Sequence, residues 1–306
     1  MKILVLTEGG RNIGFGHLSR CVALTQGISR FNIKNKTKAK FVINGDETAR
    51  TFLRRQKIAS IIMSDWIKRR NKLMNLIKAS DVVIVDSYLA SEALYDFIYK
   101  VSVDSSAKRF TNRLMCIDDY NRVDYPPSII LNPSIYGDRL SYNIQPKSHQ
   151  FYVYLMGIDY VMLRKEFWHV PNKYIRKTVK DILVTFGGIN HVNFTKRLSR
   201  FISTKYPQFK YHFISPRSNF SARDMLRLML KCDICVSAGG QTTYELARIG
   251  LPAIGICFAE NQRLNLEAWK QNGFIEYIGW HNDAYIFSKL DCAIRNLLPY
   301  RERSIR

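Results

Sequence analysis

The sequence predicts an α/β fold made of two doubly wound domains, each a parallel sheet with helices on both faces. Three observations predict it. Short, continuously apolar runs alternate with longer segments of helical periodicity. The alternation occurs in two successive series, and glycines and polar residues follow the ends of the apolar runs. Continuously apolar strands separated by helices are typical of parallel sheets that are buried on both faces.

The first series occupies residues 1–160, which we expect to form an N-terminal Rossmann-like domain. Apolar spacing from Leu18 to Ile28 predicts a helix directly after the first strand. Residues 153–163 are predicted to carry the crossover to the second domain. The strands of this series are predicted at residues 3–6, 41–43, 82–85 and 114–117.

The second series occupies residues 161–306 and predicts a second Rossmann-like domain, facing the first across a cleft. In doubly wound sheets, ligands bind beyond the carboxyl ends of the strands. We therefore expect the functional residues at these ends. The strands are predicted at residues 182–186, 211–214, 234–237 and 253–258.

Length and cysteine content favour a cytoplasmic protein. A chain of 306 residues is long enough for about two domains. The apolar start breaks at Glu8, which indicates a buried first strand and not a signal peptide. The six cysteines are expected to be reduced core thiols. Cys232 and Cys235 form a Cys-x-x-Cys motif, but no second pair of ligands follows at a spacing suited to zinc.

The net charge of +22 has three possible meanings: a nucleic-acid face, a surface that meets anionic lipid, or a general basic coat around an anionic substrate. No helix-turn-helix, zinc-finger or RNP-type motif is present, so we expect no nucleic-acid partner. A basic coat without a dedicated partner is the default, with at most weak association with a membrane surface. The oligomeric state is not indicated.

The segment Gly14-Phe-Gly-His-Leu-Ser-Arg20 lies between the first strand and the first helix. It matches neither the Gly-x-Gly-x-x-Gly dinucleotide motif nor a P-loop. Gly14 and Gly16 permit a tight turn and close approach of a ligand, and Arg20 is a candidate substrate contact. His17 at the helix N-terminus is a candidate general base. The alternative is a capping loop with an incidental histidine.

Carboxylates follow two further strands of the first domain. Asp86-Ser87-Tyr88 comes directly after a buried strand, where Asp86 or Tyr88 could orient a sugar. The alternative is that Asp86 or Ser87 caps the next helix. Asp118 and Asp119 could bind a metal ion as a pair, but the sequence shows no third ligand. We therefore expect no metal and no other cofactor.

Paired glycines precede helices of the second domain at Gly187-Gly188 and at Gly239-Gly240, the latter followed by Gln241-Thr242. Such loops expose backbone N–H groups to an anion, and a diphosphate is the natural ligand. Thr242 and Glu245 also have the spacing of a capping box. Glu245 therefore has two interpretations, a helix cap or a ligand for the two hydroxyls of a ribose.

Glu260-Asn261-Gln262 follows the last predicted strand of the second series. These polar groups could bind a sugar or a phosphate. A plain solvent-exposed loop is the alternative.

Taken in order, these segments resemble one enzyme family, the UDP-2,4-diacetamido-2,4,6-trideoxy-β-L-altropyranose hydrolases of pseudaminic acid biosynthesis (the PseG family). The resemblance extends from about residue 3 to about residue 275. It is carried by Gly14-Phe-Gly-His-Leu-Ser-Arg-Cys-Val-Ala-Leu, Val85-Asp-Ser-Tyr, Ile117-Asp-Asp, Leu163-Arg-Lys-Glu-Phe, Thr185-Phe-Gly-Gly, and Ser237-Ala-Gly-Gly-Gln-Thr-Thr-Tyr-Glu-Leu-Ala through Glu260-Asn-Gln.

The resemblance implies a GT-B fold like that of MurG-type glycosyltransferases, and metal-independent hydrolysis of a UDP-sugar with inversion. It implies that His17 activates or positions water, with Tyr88 and Asn261 as further active-site residues. Glu245 would bind the ribose. Gly239, Gly240 and Thr242 would bind the diphosphate. One departure is Ile189-Asn190, where the family often has Ser-Asp, so no role is assigned there.

Two rival functions remain open at this stage. A glycosyltransferase of the same fold would pass the sugar to an acceptor hydroxyl instead of water. The other rival is a non-catalytic protein that binds a nucleotide-sugar or nucleic acid. Such a protein would need no general base, so the intact Gly-x-Gly-His segment with His17 argues against it.

Overall fold

A computed structural model describes residues 1–31, 37–104, 113–142, 152–187, 191–214 and 220–305. The chain divides into two compact units, Met1–Met162 and Leu163–Arg306. Each unit is a parallel sheet with helices between its strands, so the predicted α/β class with two doubly wound sheets is confirmed.

The first unit contains a seven-stranded sheet with the order β3-β2-β1-β4-β5-β6-β7. Every registered strand pair in it is parallel. The strands are β1 (Lys2–Gly9), β2 (Lys38–Gly45), β3 (Ser60–Met63), β4 (Val82–Asp86), β5 (Leu114–Ile117), β6 (Ile129–Asn132) and β7 (Val153–Met156). The helices are α1 (Gly16–Phe31), α2 (Glu47–Arg55), α3 (Arg70–Lys78) and α4 (Glu92–Asp104).

The apolar strands of this sheet bury both faces. Leu4 and Leu6 of β1 pack into one cluster with α3 and α4, while Ile3 and Val5 pack into a second cluster with α1 and α2. Successive side chains of a strand point to opposite faces, so a strand that is covered on both sides must be apolar at consecutive positions. This is why the short apolar runs predicted the central strands.

The second unit contains a five-stranded parallel sheet with the order β12-β11-β10-β8-β9. Its strands are β8 (Asp181–Thr185), β9 (Lys210–Ile214), β10 (Ile234–Ala238), β11 (Ala253–Cys257) and β12 (Ile275–Trp280). Its helices are α5 (Val192–Lys205), α6 (Ala222–Lys231), α7 (Thr242–Ile249), α8 (Arg263–Gln271), α9 (Ile286–Leu297) and α10 (Tyr300–Ser304).

Four strands were absent from the sequence prediction: β3, β6, β7 and β12. No residue of the edge strand β3 is fully buried, and its apolar run is only three residues long. β12 buries only Ile275 fully, and Glu276 and Gly279 interrupt its apolar residues. β6 has only three apolar residues before Asn132. The predicted crossover at 153–163 was also wrong in part, because β7 there is a seventh strand of the first sheet.

The strand orders fix where each sheet reverses its winding. In the first sheet the reversal lies between β1 and β4, and in the second it lies between β8 and β10. Ligands of doubly wound sheets bind at the carboxyl ends of the strands at this point. The segments after these four strands are therefore expected to hold the functional site.

All six cysteines are unpaired thiols, and all except Cys292 are buried. Among the described residues, no helix combines the length and the hydropathy of a membrane-spanning segment.

Candidate active site

The loop between β1 and α1 holds His17 at the start of a helix. Gly10 and Gly14 form a small backbone bridge, with N–H to carbonyl distances of 3.0 and 2.8 Å. Both glycines have positive φ, 147° and 90°, which only glycine adopts without strain. The turn delivers the chain to Gly16, the first residue of α1, so that His17 lies in its first turn.

His17 is held by a buried carboxylate. Its Nδ1 lies 2.7 Å from Oδ1 of Asp86, the last residue of β4, and Asp86 is fully buried. Nη2 of Arg20 lies 3.2 Å from the same nitrogen. We assign the Nδ1 proton to the bond with Asp86, because the carboxylate is closer and only accepts. This tautomer leaves Nε2 with a free lone pair, and Nε2 has no hydrogen bond within the described part of the chain.

Asp86 remains ionised because of its hydrogen bonds to Arg20 and His17. Burial alone would raise its pKa, but the Arg20 guanidinium and His17 outweigh burial and hold the pKa of Asp86 below its ordinary value. Nε and Nη2 of Arg20 donate to its two oxygens at 2.7 and 2.6 Å. A charged Asp86 therefore fixes the orientation and the tautomer of His17.

The helix-cap interpretation of Asp86 is wrong, because its carboxylate bonds to the side chains of His17 and Arg20. Ser87 accepts hydrogen bonds from the backbone of the turn that follows β4. The Ser87 hydroxyl accepts from the N–H groups of Leu89 and Ala90, both at 3.1 Å, and donates to Glu8 at 2.6 Å. Asp86 is thus free to act on His17 and Arg20.

Arg20 was expected to contact the substrate, but its guanidinium is buried and bonds to two carboxylates of the protein. Nη1 donates to both oxygens of Asp119, at 2.7 and 2.9 Å, while the other two nitrogens serve Asp86. A buried cation is costly unless it is paired, and Arg20 meets this need with two carboxylates. Arg20 therefore holds Asp86, which in turn orients His17.

Tyr88 lies beside His17. The two rings meet edge to face, with centroids 4.4 Å apart and planes at 86°. The Tyr88 hydroxyl donates to Asp119, and its backbone N–H donates to Glu8 at 2.8 Å. Tyr88 as a whole is half-buried.

Asp118 and Asp119 do not act as a pair. Asp119 serves Arg20 and Tyr88, whereas Asp118 accepts from the hydroxyls of Tyr125 and Tyr142 at 2.9 and 2.6 Å. The described residues contain no group of three or more His, Cys, Asp or Glu side chains that could hold a metal ion.

The loop of Gly239, Gly240 and Gln241 joins β10 to α7 in the second unit. Asn265 donates to the Gly239 carbonyl at 2.9 Å, and Thr243 donates to the Gly240 carbonyl through its N–H and hydroxyl at 3.0 and 2.9 Å. Over the ranges described, the N–H groups of Gly240 and Thr242 donate to no protein atom. They lie at the positive end of α7, where an anion is favoured.

The capping-box interpretation of Glu245 is wrong. Gln241 is the N-cap residue of α7 and makes no side-chain cap, and the Glu245 carboxylate points to Arg164 instead. Nε and Nη2 of Arg164 donate to its two oxygens at 2.5 and 2.6 Å. A carboxylate oxygen can accept two hydrogen bonds, so this pair fixes the carboxylate and leaves acceptor capacity on each oxygen.

The remaining predicted residues of the second unit lie in loops after β8 and β11. Gln262 links two loops, because its Oε1 accepts from Phe258 at 3.1 Å and from Gly239 at 3.4 Å. Asn261, in the same turn, is exposed. Gly187 follows β8 with a φ of 75°. Gly188 and Ile189-Asn190 lie outside the described residues.

Sequence reasoning assigned no role to Arg164 or Asn265, and it considered Asp119 only as half of a possible metal-binding pair. Asn265 braces the glycine loop from α8 and also accepts from Tyr244 at 2.7 Å. Arg164 occurs inside a segment that carries the family resemblance, and Asp119 occurs in another such segment directly after a predicted strand. Their partners lie 81 and 99 residues away, too far for any spacing rule.

No protein-family model matches the chain. An uncharacterized protein of Methanocaldococcus jannaschii is 24% identical over 291 residues, covering 86% of this chain and 57% of that protein. The spore coat polysaccharide biosynthesis protein SpsG of Bacillus subtilis is 23% identical, covering 89% and 82%. The pseudaminic acid cytidylyltransferase and UDP-2,4-diacetamido-2,4,6-trideoxy-β-L-altropyranose hydrolase of Helicobacter pylori is 21% identical, covering 90% and 48%.

The chain thus spans about half the length of two of these three curated relatives. Among solved structures, the S. aureus MnaA–UDP co-structure has a TM-score of 0.58 at 11% identity, with 99% of this chain and 91% of that chain covered. The glycotransferase of kitacinnamycin has a TM-score of 0.57 at 13% identity, covering 99% and 92%. These similarities show that the chain has the GT-B type of fold, with two Rossmann-like units.

Proposed function

We propose that the protein hydrolyses a UDP-linked diacetamido-trideoxy sugar at its anomeric carbon, releasing UDP and the free sugar with inversion. The substrate class is that of UDP-2,4-diacetamido-2,4,6-trideoxy-β-L-altropyranose, in pseudaminic acid-type nonulosonate biosynthesis. The observation that carries the proposal is the pair of His17 and Asp86, joined at 2.7 Å where the first sheet reverses its winding.

The proposed base is Nε2 of His17. Asp86 takes the Nδ1 proton, so Nε2 can accept a proton from water, as in other carboxylate-oriented histidines. The water oxygen bonds to the anomeric carbon while the bond from that carbon to the diphosphate oxygen breaks. UDP leaves with the electron pair, and His17 then returns its proton to solvent. General base catalysis of this kind contributes roughly 10²–10⁴ in rate.

Attack by water opposite to the leaving group inverts the anomeric centre. Tyr88, in edge contact with His17, and Asn261, which is exposed after β11, are the proposed sugar contacts. Gly14 and Gly16 have no side chains that would keep the sugar away from the loop. The space beside Gly16 is open, because a Cβ placed there would meet nothing within 4 Å.

The proposed diphosphate ligands are the N–H groups of Gly240 and Thr242 at the start of α7, with Gly239 and Gln241 shaping the loop. Preorganised N–H donors stabilise the negative charge that develops on a leaving group. Glu245, fixed by Arg164, is the proposed ligand of the ribose hydroxyls. Gly187 and Gln262 complete the proposed substrate-binding set in the second unit.

Three similarities support this proposal. The Helicobacter pylori relative is named for the same hydrolysis, the Bacillus subtilis relative for polysaccharide biosynthesis, and the MnaA structure contains UDP. The rival is glycosyl transfer, which the kitacinnamycin glycotransferase favours. The two reactions differ in one requirement, since transfer needs an acceptor and hydrolysis needs only water.

The test is incubation of the purified full chain with the diacetamido UDP-sugar and no acceptor, followed by ³¹P and ¹H NMR. We expect UDP release, with the inverted anomer appearing first. His17→Asn should nearly abolish release while UDP still binds. The matched control is His212→Asn, because Nε2 of His212 is also 2.7 Å from an aspartate, Asp181, in the second unit.

A rate in His17→Asn equal to that of the wild type would remove the base assignment. UDP release that depends on an added acceptor would replace hydrolysis by transfer. The proposed chemistry uses no metal ion, so EDTA should leave the rate unchanged, and strong inhibition would contradict the mechanism.

A further inference from the structure

Asp119 joins the Arg20 guanidinium to the hydroxyl of Tyr88 in the first unit. It is 9% exposed, and its carboxylate accepts two bonds from Arg20, at 2.7 and 2.9 Å, as well as the hydroxyl of Tyr88. The same guanidinium holds Asp86, which holds His17. One cation therefore connects the supports of both His17 and Tyr88.

The bond to Asp119 determines what the Tyr88 hydroxyl can do. A phenol has one proton to donate, and an ionised carboxylate can only accept. Arg20 donates to both oxygens of Asp119, at 2.7 and 2.9 Å, so both oxygens act as acceptors. Because the hydroxyl proton of Tyr88 is used in the hydrogen bond to Asp119, the Tyr88 oxygen can only accept a hydrogen bond from any other group.

The phenol also stays neutral. Burial, followed by the negative charge of Asp119, raises the pKa of Tyr88 well above its ordinary value. The ring is held by neighbours on two sides, His17 at 4.4 Å and Tyr120 at 5.5 Å between centroids. Tyr88 thus has a fixed ring, a fixed proton and no charge.

We propose that Asp119 is a positioning residue that makes Tyr88 a pure hydrogen-bond acceptor for an N–H or O–H group of the bound sugar. An acetamido N–H is a donor of this kind. The inference rests on the proposed function for the identity of the sugar, but the geometry of Asp119 and Tyr88 stands apart from it. It also excludes Tyr88 as the acid that protonates a leaving oxygen.

The kinetic test compares Asp119→Asn with Asp118→Asn. The control makes the same change one residue away, at a buried carboxylate that also accepts from tyrosine hydroxyls but is not bonded to Tyr88 or Arg20. We expect Asp119→Asn to lower kcat/KM about tenfold, the size of a typical coupling between bonded neighbours. Asp118→Asn should stay within about threefold of the wild type, whatever it does to thermal stability.

A double variant separates positioning from general damage. If Asp119 acts through Tyr88, the loss in Tyr88→Phe with Asp119→Asn should exceed the worse single loss by no more than about threefold. Losses that multiply would overturn the proposal. So would equal losses in Asp119→Asn and Asp118→Asn.

A spectroscopic test needs no activity. In protein labelled with ¹³Cζ-tyrosine, the Tyr88 resonance is assigned by its absence in Tyr88→Phe. Asp119→Asn should shift this resonance, and Asp118→Asn should shift those of Tyr125 and Tyr142 instead. If the chain does not hydrolyse the sugar, the proposed function fails, yet this shift still supports the positioning role. An unshifted Tyr88 resonance overturns that role.

Should Asp119→Asn fail to fold, Tyr88→Phe alone retains a test, because it leaves Arg20 and Asp119 in place. A pure acceptor predicts that the loss in Tyr88→Phe is the same at every pH from about 6 to 9, since neutral Tyr88 does not titrate there. Disappearance of an alkaline limb of the wild-type profile would show that Tyr88 acts as an acid, and would contradict the inference.

Discussion

Replacing Asp86 by asparagine is the sharpest test of how the site works. The substitution keeps the shape of the side chain but removes the charge that lies 2.7 Å from His17 Nδ1. An amide can present its N–H group to Nδ1 and so favour the wrong tautomer, with the proton on Nε2. His17 would then lose the lone pair that accepts the proton of water.

The expected loss in kcat is large because Asp86 acts through the base. It should approach the whole contribution of general base catalysis, roughly 10²–10⁴-fold, with little change in UDP affinity. Stability should fall as well, because Arg20 is buried and loses one of its two carboxylates. Breaking a buried ion pair costs about 3–5 kcal/mol, and we expect the lower end because Asp119 remains.

Asp181→Asn is the matched control. Asp181 also accepts from a histidine, His212 at 2.7 Å, and from an arginine, Arg176 at 2.9 Å, and Arg176 keeps a second carboxylate in Asp233. It lies at the amino end of β8, where doubly wound sheets do not bind ligands. We therefore expect a loss of stability with no loss of kcat.

The assay is UDP release under saturating substrate, with thermal unfolding of each variant measured in parallel. If Asp86→Asn keeps kcat within about threefold of the wild type, well short of the range for a general base, the assignment of Asp86 and His17 is refuted. Equal kcat losses in the two aspartate variants would also refute it, since they would reflect stability alone.

Three further outcomes are expected. Glu245→Gln should raise KM about tenfold with kcat nearly unchanged, as for the loss of one hydrogen bond to a charged group; a lower kcat at constant KM would contradict the ribose assignment. Gly239→Ala should lower the free energy of unfolding by about 1–3 kcal/mol, because its Cβ would lie 2.6 Å from Leu266 Cγ. Gly240→Ala should be nearly neutral in thermal unfolding, with nothing within 4 Å of the new Cβ; equal losses would contradict this packing. Finally, Asp86 has a lowered pKa, so its stabilisation is complete above the ordinary aspartate range and is lost as the pH falls below about 4. Urea unfolding should show a smaller acid loss in Asp86→Asn than in the wild type, and identical acid losses would exclude a charged Asp86.

The fold was predictable where strands are buried on both faces. β1, β4, β10 and β11 have unbroken apolar runs because helices cover both sides of them. The edge strands β3 and β12 face solvent in part, and the short apolar run of β3 and the mixed sequence of β12 carry a weaker signal. The sequence predicted parallel sheets, but no local pattern indicated which strands are neighbours in each sheet.

The sequence by itself determined which residues stand at the carboxyl ends of strands, because a residue that follows a strand must lie at that end of the sheet. His17, Tyr88 and Gly239-Gly240 were found in this way. Only the tertiary structure decided what each of them bonds to. Arg20 meets Asp86 and Asp119 across separations of 66 and 99 residues, and Glu245 meets Arg164 across 81. A buried charge is costly unless it is paired, but the sequence does not show which residue will pair with it. The packing of neighbouring strands and helices determines the partner.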